Sequence, residues 1–172
     1  FFTIANPNGI ITNAIGTSIS CPGDQTVVNF TKSVSFNSGN KFIVQLSDSV
    51  GTFSGKVVNI GEITATEPAP ITVTFPPKFY GSGQYRLRVI GTNPPTIGTD
   101  NGTNFTINPL PNIHLGNDTT ICVGSNLTLN AASSGSTYLW STGATASSIQ
   151  VSDAGKYWVK VTNSCGVSSD TI

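Results

Sequence analysis

The chain of 172 residues has no methionine, a single histidine, His114, and only three cysteines, Cys21, Cys122 and Cys165. Nucleophilic and metal-assisted mechanisms usually rest on histidine, and nothing near His114 supplies a second base or a ligand cluster. The cysteines lack the close CxxC spacing of a zinc site and are too few for a disulfide-dense scaffold. Charged residues make up 9% of the chain, against about 25% in an average globular protein, so Thr, Ser and Asn must wet the surface. Eight basic and eight acidic residues cancel, which leaves no electrostatic footprint for nucleic acid or an anionic membrane. No apolar run approaches the roughly 18 residues of a membrane helix. The N-terminus lacks a basic stretch followed by an apolar core, so the sequence reads as starting after any signal peptide. No GxSxG, HExxH, Walker A, GxGxxG or EF-hand pattern occurs. The remaining catalytic option, a carboxylate pair for glycoside hydrolysis, would draw on acidic residues scattered over loops of both halves. The expectation is a chain with no catalytic, cofactor-binding or metal-binding residues.

What is present points to β-structure. Thr, Val, Ile and aromatics favour strands, the usual helix formers are scarce, and no window shows helical periodicity. Short strand-like segments recur between Gly, Pro and Asn turn signals. In the first half they are 25–31, 41–47, 56–63, 71–75, 84–90 and 103–107; in the second, 113–115, 126–131, 137–141, 148–152, 156–162 and 167–172. Tyr85, Leu87 and Val89 alternate with Arg86 and Arg88, which predicts an inward and an outward face. The run Asn108-Pro109-Leu110-Pro111-Asn112 reads as a short, semi-rigid linker, because its prolines remove backbone donors and favour extended neighbours. The reading is therefore all-β, with a larger domain over 9–108 and a smaller one over 109–172.

Internal echoes relate the halves. Cys21-Pro22-Gly23 resembles Cys122-Val123-Gly124, and Gly83-Gln84-Tyr85 with its following strand resembles Gly155-Lys156-Tyr157. Between these landmarks the second half is shorter by about thirty residues, which suggests that it lacks one or two middle strands. Phe2-Thr3-Ile4 echoes Phe105-Thr106-Ile107, so residues 1–8 read either as the closing strand of a preceding repeat or as a leading strand.

Asp153-Ala154-Gly155-Lys156-Tyr157, with Trp140 and Cys122 before it, resembles the corner of immunoglobulin-like domains, where a tyrosine hydroxyl bonds back to upstream backbone. The cysteine that follows this tyrosine in antibody domains is replaced by Val159. Cys165 lies in a turn after the next strand and is expected to pair with Cys122; the alternative is two free thiols. A bridge closing some forty residues would contribute about 4 kcal/mol. Cys21 then reads as a buried thiol, or as a bridge to a neighbouring domain or molecule. Trp140 and Tyr138 share a core-facing parity, whereas Trp158 should point outward, near Leu139 if their strands are neighbours. This makes Trp158 and Leu139 candidate contacts for a ligand or partner.

From Leu110 to Ile172 the sequence resembles repeats of very large surface proteins of Bacteroidetes bacteria. Leu115-Gly116-Asn117-Asp118-Thr119-Thr120-Ile121-Cys122, Tyr138-Leu139-Trp140-Ser141-Thr142-Gly143 and Tyr157-Trp158-Val159-Lys160-Val161-Thr162-Asn163-Ser164-Cys165-Gly166 carry the resemblance. The first half is similar to a companion repeat through Phe36-Asn37-Ser38-Gly39-Asn40 and Gln45-Leu46-Ser47-Asp48. The resemblance implies two immunoglobulin-like (fibronectin III-like) or PKD-like antiparallel β-sandwich domains in tandem, in a secreted cell-surface protein exported by the type IX system. It implies a non-catalytic structural or adhesive repeat segment acting as a spacer, stalk or filament-forming module, or alternatively a carbohydrate- or protein-binding accessory module of an extracellular polysaccharide-degrading enzyme. Expected partners are neighbouring repeats, glycans or surface proteins, or copies of the chain in a filament, with no nucleic acid and no membrane insertion. It also implies O-glycosylation in Asp-Ser/Thr-x triplets, with Ser49, Thr119 and Thr171 as candidates.

Overall fold

A computed structural model of the chain describes residues 9–77 and 83–172. Those residues are all-β, with no helix among them, and the chain divides into two compact units, Phe1–Asn108 and Pro109–Ile172. The expected strand at residues 1–8 lies outside the described residues.

In the first unit, β1 (Ile10–Thr12), β2 (Ile19–Ser20), β3 (Gln25–Val28), β4 (Phe30–Lys32), β5 (Lys41–Leu46), β6 (Val58–Thr64), β7 (Ile71–Thr74), β8 (Leu87–Thr92), β9 (Pro95–Asp100) and β10 (Thr106–Ile107) follow one another. Six of them form one sheet in the order β4-β1-β9-β8-β5-β6, while β3 pairs with β7 and β10 pairs with β2. All neighbours are antiparallel except β1 with β9 and β10 with β2. The period-2 alternation of β5 buries Phe42, Val44 and Leu46 completely, and that of β8 buries Leu87 and Val89. Arg86 and Arg88 take the partly exposed positions between them. Aromatic rings fill the interior: Phe30 and Phe36 lie 4.7 and 4.8 Å from Phe42, and Phe75 lies 5.4 Å from Phe105. Gly91 makes room for this packing, because a Cβ there would overlap the Phe36 ring.

Buried polar side chains satisfy backbone groups that the ladders leave over, as burial demands. Between Arg88 and Ile90 the β8–β9 register slips, and the Val89 amide donates to the Thr12 hydroxyl at 2.8 Å. Asn40, fully buried, donates to the Ala65 carbonyl at 2.8 Å and accepts from the Thr92 and Asn93 amides at 2.9 Å each. Asn101 accepts from the Leu87 amide and donates to the Thr103 carbonyl, both at 2.8 Å.

The second unit contains β11 (Leu127–Asn130), β12 (Thr137–Trp140), β13 (Ser148–Val151), β14 (Trp158–Asn163) and β15 (Gly166–Thr171). β11 pairs with β13, and β12, β14 and β15 form a second sheet in that order. Trp140, Val159, Val161, Leu129 and Val151 form the core, and the Trp140 indole donates to the Ala146 carbonyl at 2.8 Å.

The strands depart from the sequence expectation in three ways. Residues 113–115 form no strand; the Leu115 amide instead donates to the Asp170 carboxylate at 2.7 Å. The expected strand 25–31 is split into β3 and β4, which belong to different sheets. β1, β2 and β9 were not expected. β9 starts at Pro95 directly after the Asn93–Pro94 turn, where Thr92 faces Pro95, and it contains Gly98, so it carries breaker residues where strand formers are sought.

Replacing Trp140 by Ala should destabilise the second unit by about 3–5 kcal/mol. Trp158→Ala, on an exposed face, should cost less than about 1 kcal/mol. Denaturant midpoints of the two variants test this difference.

Candidate functional site

Both units repeat one local plan around the Cys-x-Gly echo. In the first, the Asp24 amide donates to the Cys21 carbonyl at 3.1 Å across a turn whose third residue, Gly23, has φ +89°. In the second, the Ser125 amide donates to the Cys122 carbonyl at 3.0 Å, and Gly124 has φ +83°. A positive φ at that place is what a type II turn needs, and glycine supplies it without a Cβ penalty. Each turn leads into the strand that pairs across the smaller sheet, β3 with β7 and β11 with β13.

At the other landmark, Tyr85 and Phe105 exchange two backbone hydrogen bonds at 2.8 and 3.0 Å, and Tyr157 and Ile172 do the same at 2.8 and 2.9 Å. The Tyr157 hydroxyl also donates to the Asp153 carbonyl at 3.0 Å, the corner bond that the motif predicted.

Around this corner the second unit opens a cleft of about 1040 Å³. The segment Asp118–Gly124 forms one wall, Ser152–Lys156 another, and Leu127, Val151, Tyr157 and Ile172 line it. Its rim is apolar and exposed at Ile121 and Val123, Val123 fully so. Neither the cleft nor these rim residues were singled out by sequence. The signal that marks them is the alignment of the two Cys-x-Gly turns, in which exposed Ile121 corresponds in sequence to the buried Ser20.

Cys122 lies in this cleft wall as a free, exposed thiol, whereas Cys21 and Cys165 are both disulfide-bonded. The expected Cys122–Cys165 bridge is therefore incorrect, as is the reading of Cys21 as a buried thiol. Strand direction supplies the reason. Cys122 lines the cleft with Tyr157 and Thr171, at the open end of the β14–β15 hairpin, where Trp158 faces Thr171. Cys165 sits in the turn at the opposite end, where Asn163 faces Gly166. Five residue steps at about 3.3 Å each separate those ends, well beyond the roughly 7 Å limit for Cα atoms of a disulfide. Asn163 shapes that turn by accepting from the Cys165 and Gly166 amides at 2.8 and 3.1 Å.

Trp158 and Leu139 emerge on one face of the second sheet. Leu139 lies opposite Lys160, one alternation from Trp158, and both side chains are exposed, at 45% and 40%. Val167, opposite Thr162, extends this face and is 51% exposed. The candidate glycosylation residues Ser49, Thr119 and Thr171 are all exposed. Ser49 sits in a loop ordered by Asp48, whose carboxylate accepts from the Thr52 side chain and from the Thr52 and Val50 amides. These bonds, the Thr52 hydroxyl first, hold the Asp48 carboxyl below its ordinary range.

His114 is exposed, with Nδ1 3.6 Å from Asp170 Oδ2. Among the described residues no three His, Cys, Asp or Glu side chains gather as a metal site would require. No known family model matches this chain, and no curated protein matches it. The geometry accordingly carries the functional reading alone. It offers two surfaces, the cleft and the Trp158 face, both in the second unit.

Alkylation of the unreduced, denatured chain should add one label, at Cys122, and reduction should raise the count to three; peptide mapping reads this directly. Asp170 gives a pH signature. Its carboxyl is held below the ordinary carboxylate range, chiefly by the Leu115 amide, then by the Thr171 amide and His114. A depressed folded-state pKa adds stability above the unfolded value that disappears as pH falls through the folded one. Hydrogen-exchange protection of the Leu115 amide, corrected for intrinsic rates, should thus fall as pH drops from about 6 toward 2. Asp170→Asn should flatten that dependence.

Proposed function

We propose that the chain is a non-catalytic, structural and adhesive repeat segment of a secreted bacterial cell-surface protein, built from two immunoglobulin-like (fibronectin III-like) β-sandwich modules in tandem and serving as a spacer or stalk. The observation that carries this reading is the repeated plan. Each unit has its own core, the same Cys-x-Gly turn and the same tyrosine-centred closing pair. Arrays of such units gain length by adding copies, each stabilised mainly by its own interior. Disulfide-bonded cysteines favour an oxidising, extracytoplasmic setting. The sparsely charged surface, neutral in sum, offers little to attract charged partners non-specifically.

The exposed face of Trp158, Leu139 and Val167 favours a second reading, a carbohydrate- or protein-binding accessory module. Aromatic and aliphatic side chains on a flat strand surface suit stacking against sugar rings or an apolar protein patch. O-glycosylation at Ser49, Thr119 and Thr171 belongs to the same proposal, and intact mass of the native protein checks it.

A glycan array probed with the intact chain separates the readings. A spacer should retain no glycan at micromolar concentration. Retention that Trp158→Ala reduces at least tenfold would replace the spacer reading with the binding one.

A further inference from the structure

Two Asn-Gly dipeptides occur in the chain, Asn8-Gly9 and Asn101-Gly102, and only the second lies wholly within the described residues. Asparagine before glycine is a reactive context for deamidation, because no side chain keeps the glycine nitrogen away from the asparagine amide carbon. In that reaction the Gly102 nitrogen bonds to Asn101 Cγ, the Cγ–Nδ2 bond breaks, and ammonia departs carrying the proton that the nitrogen gave up. Water then opens the resulting succinimide. Cleavage at Cγ leaves aspartate, and cleavage at the main-chain carbonyl leaves isoaspartate.

The fold opposes each of these steps. Asn101 directly follows β9 and is buried, which keeps water away. Its Oδ1 accepts from the Leu87 amide at 2.8 Å, and its Nδ2 donates to the Thr103 carbonyl at 2.8 Å and to the Thr103 hydroxyl at 3.3 Å. The attacking nitrogen is engaged as well, since the Gly102 amide donates to Asp100 Oδ1 at 2.8 Å. The Asn101 amide donates to the Leu87 carbonyl at 2.9 Å, so main chain and side chain together tie the residue to the start of β8. Gly102 is required by the turn, where φ is +73°, and not by packing, because a Cβ there would meet nothing.

We propose that Asn101-Gly102 is a site of spontaneous deamidation that the folded first unit keeps closed and that reacts only when the turn holding it opens. The acceptor of the Leu87 amide is the Asn101 side chain itself, so the opening that frees Asn101 also frees that amide. The products cannot return to the closed form. Aspartate lacks the donor for the Thr103 carbonyl and places a charge in a buried position next to Asp100; isoaspartate adds a methylene to the main chain. Conversion is therefore an irreversible record of the time the turn has spent open. This does not depend on the spacer reading, and its failure leaves that reading intact.

The test ages the full chain, native and unfolded in guanidinium chloride, at one pH and temperature. Peptide mapping scores aspartate and isoaspartate at Asn101 separately from Asn8. Conversion should be at least about tenfold slower in the native chain, and the factor should equal the hydrogen-exchange protection of the Leu87 amide to within about threefold, because one opening equilibrium governs both. Val89→Ala, which loosens the core without touching the turn, should accelerate conversion and Leu87 exchange by one common factor. Converted chains, separated by anion exchange, should have lost protection at Leu87. An unfolded chain that does not convert at Asn101, a native chain that converts as fast as the unfolded one, or slowing and protection that disagree beyond threefold overturns the proposal. Faster Leu87 exchange in Val89→Ala without faster conversion, or full Leu87 protection in converted chains, overturns it as well.

Discussion

Each unit depends on one clasp, the pair of backbone hydrogen bonds by which a tyrosine holds the residue that ends its sheet. Tyr85 with Phe105 and Tyr157 with Ile172 fix where the strand after the tyrosine begins and therefore which of its side chains point inward. A slip of one residue would turn Leu87 and Val89, or Val159 and Val161, out of the core, since the strand period is two. In the second unit the clasp is reinforced by the hydroxyl of the same tyrosine on Asp153. The corner, the register of β14 and the floor of the cleft therefore have a common origin.

The units differ in how much structure they hang on that shared frame. Between β3 and β7 the first unit inserts β4, β5 and β6, whereas between β11 and β13 the second inserts only β12. β12 pairs with β14 as β5 pairs with β8, so the second unit lacks counterparts of β4 and β6. The first unit can accordingly bury a cluster of aromatic rings. The second relies on one indole, Trp140, in a core of small aliphatic residues. Less interior means more of its sheet faces and edges remain accessible, and both candidate surfaces lie there.

Much of this was legible in the sequence where a strand announces itself by alternation. Tyr85, Leu87 and Val89 against Arg86 and Arg88, or Trp140 against Leu139, declare their faces because each neighbour packs or hydrates independently of distant residues. β1, β2 and β9 escaped because they are short or contain Pro95 and Gly98, and their place depends on partners far along the chain. Gly98 is required by tertiary packing, since a Cβ there would overlap the Val89 carbonyl and Ile10. Of the site, the outward Trp158 and the tyrosine corner were legible from parity and motif. The cysteine pairing was not, because it turns on which end of a strand each thiol reaches, and sequence spacing does not reveal that. The cleft was not legible either, because its lining comes from segments far apart in the sequence, Asp118–Gly124, Ser152–Lys156 and Ile172.

Asn40 has a consequence for how this segment can diverge. Its amide gives one donor and one twice-used acceptor to three backbone groups in a fully buried place. Asp would bury a charge and lose the donor, Ser would reach too few partners, and an aliphatic residue would strand all three groups. Substitution is therefore tolerated unevenly across this unit: at an exposed Thr or Ser it changes hydration alone, whereas at Asn40 it takes the partners from three backbone groups at once.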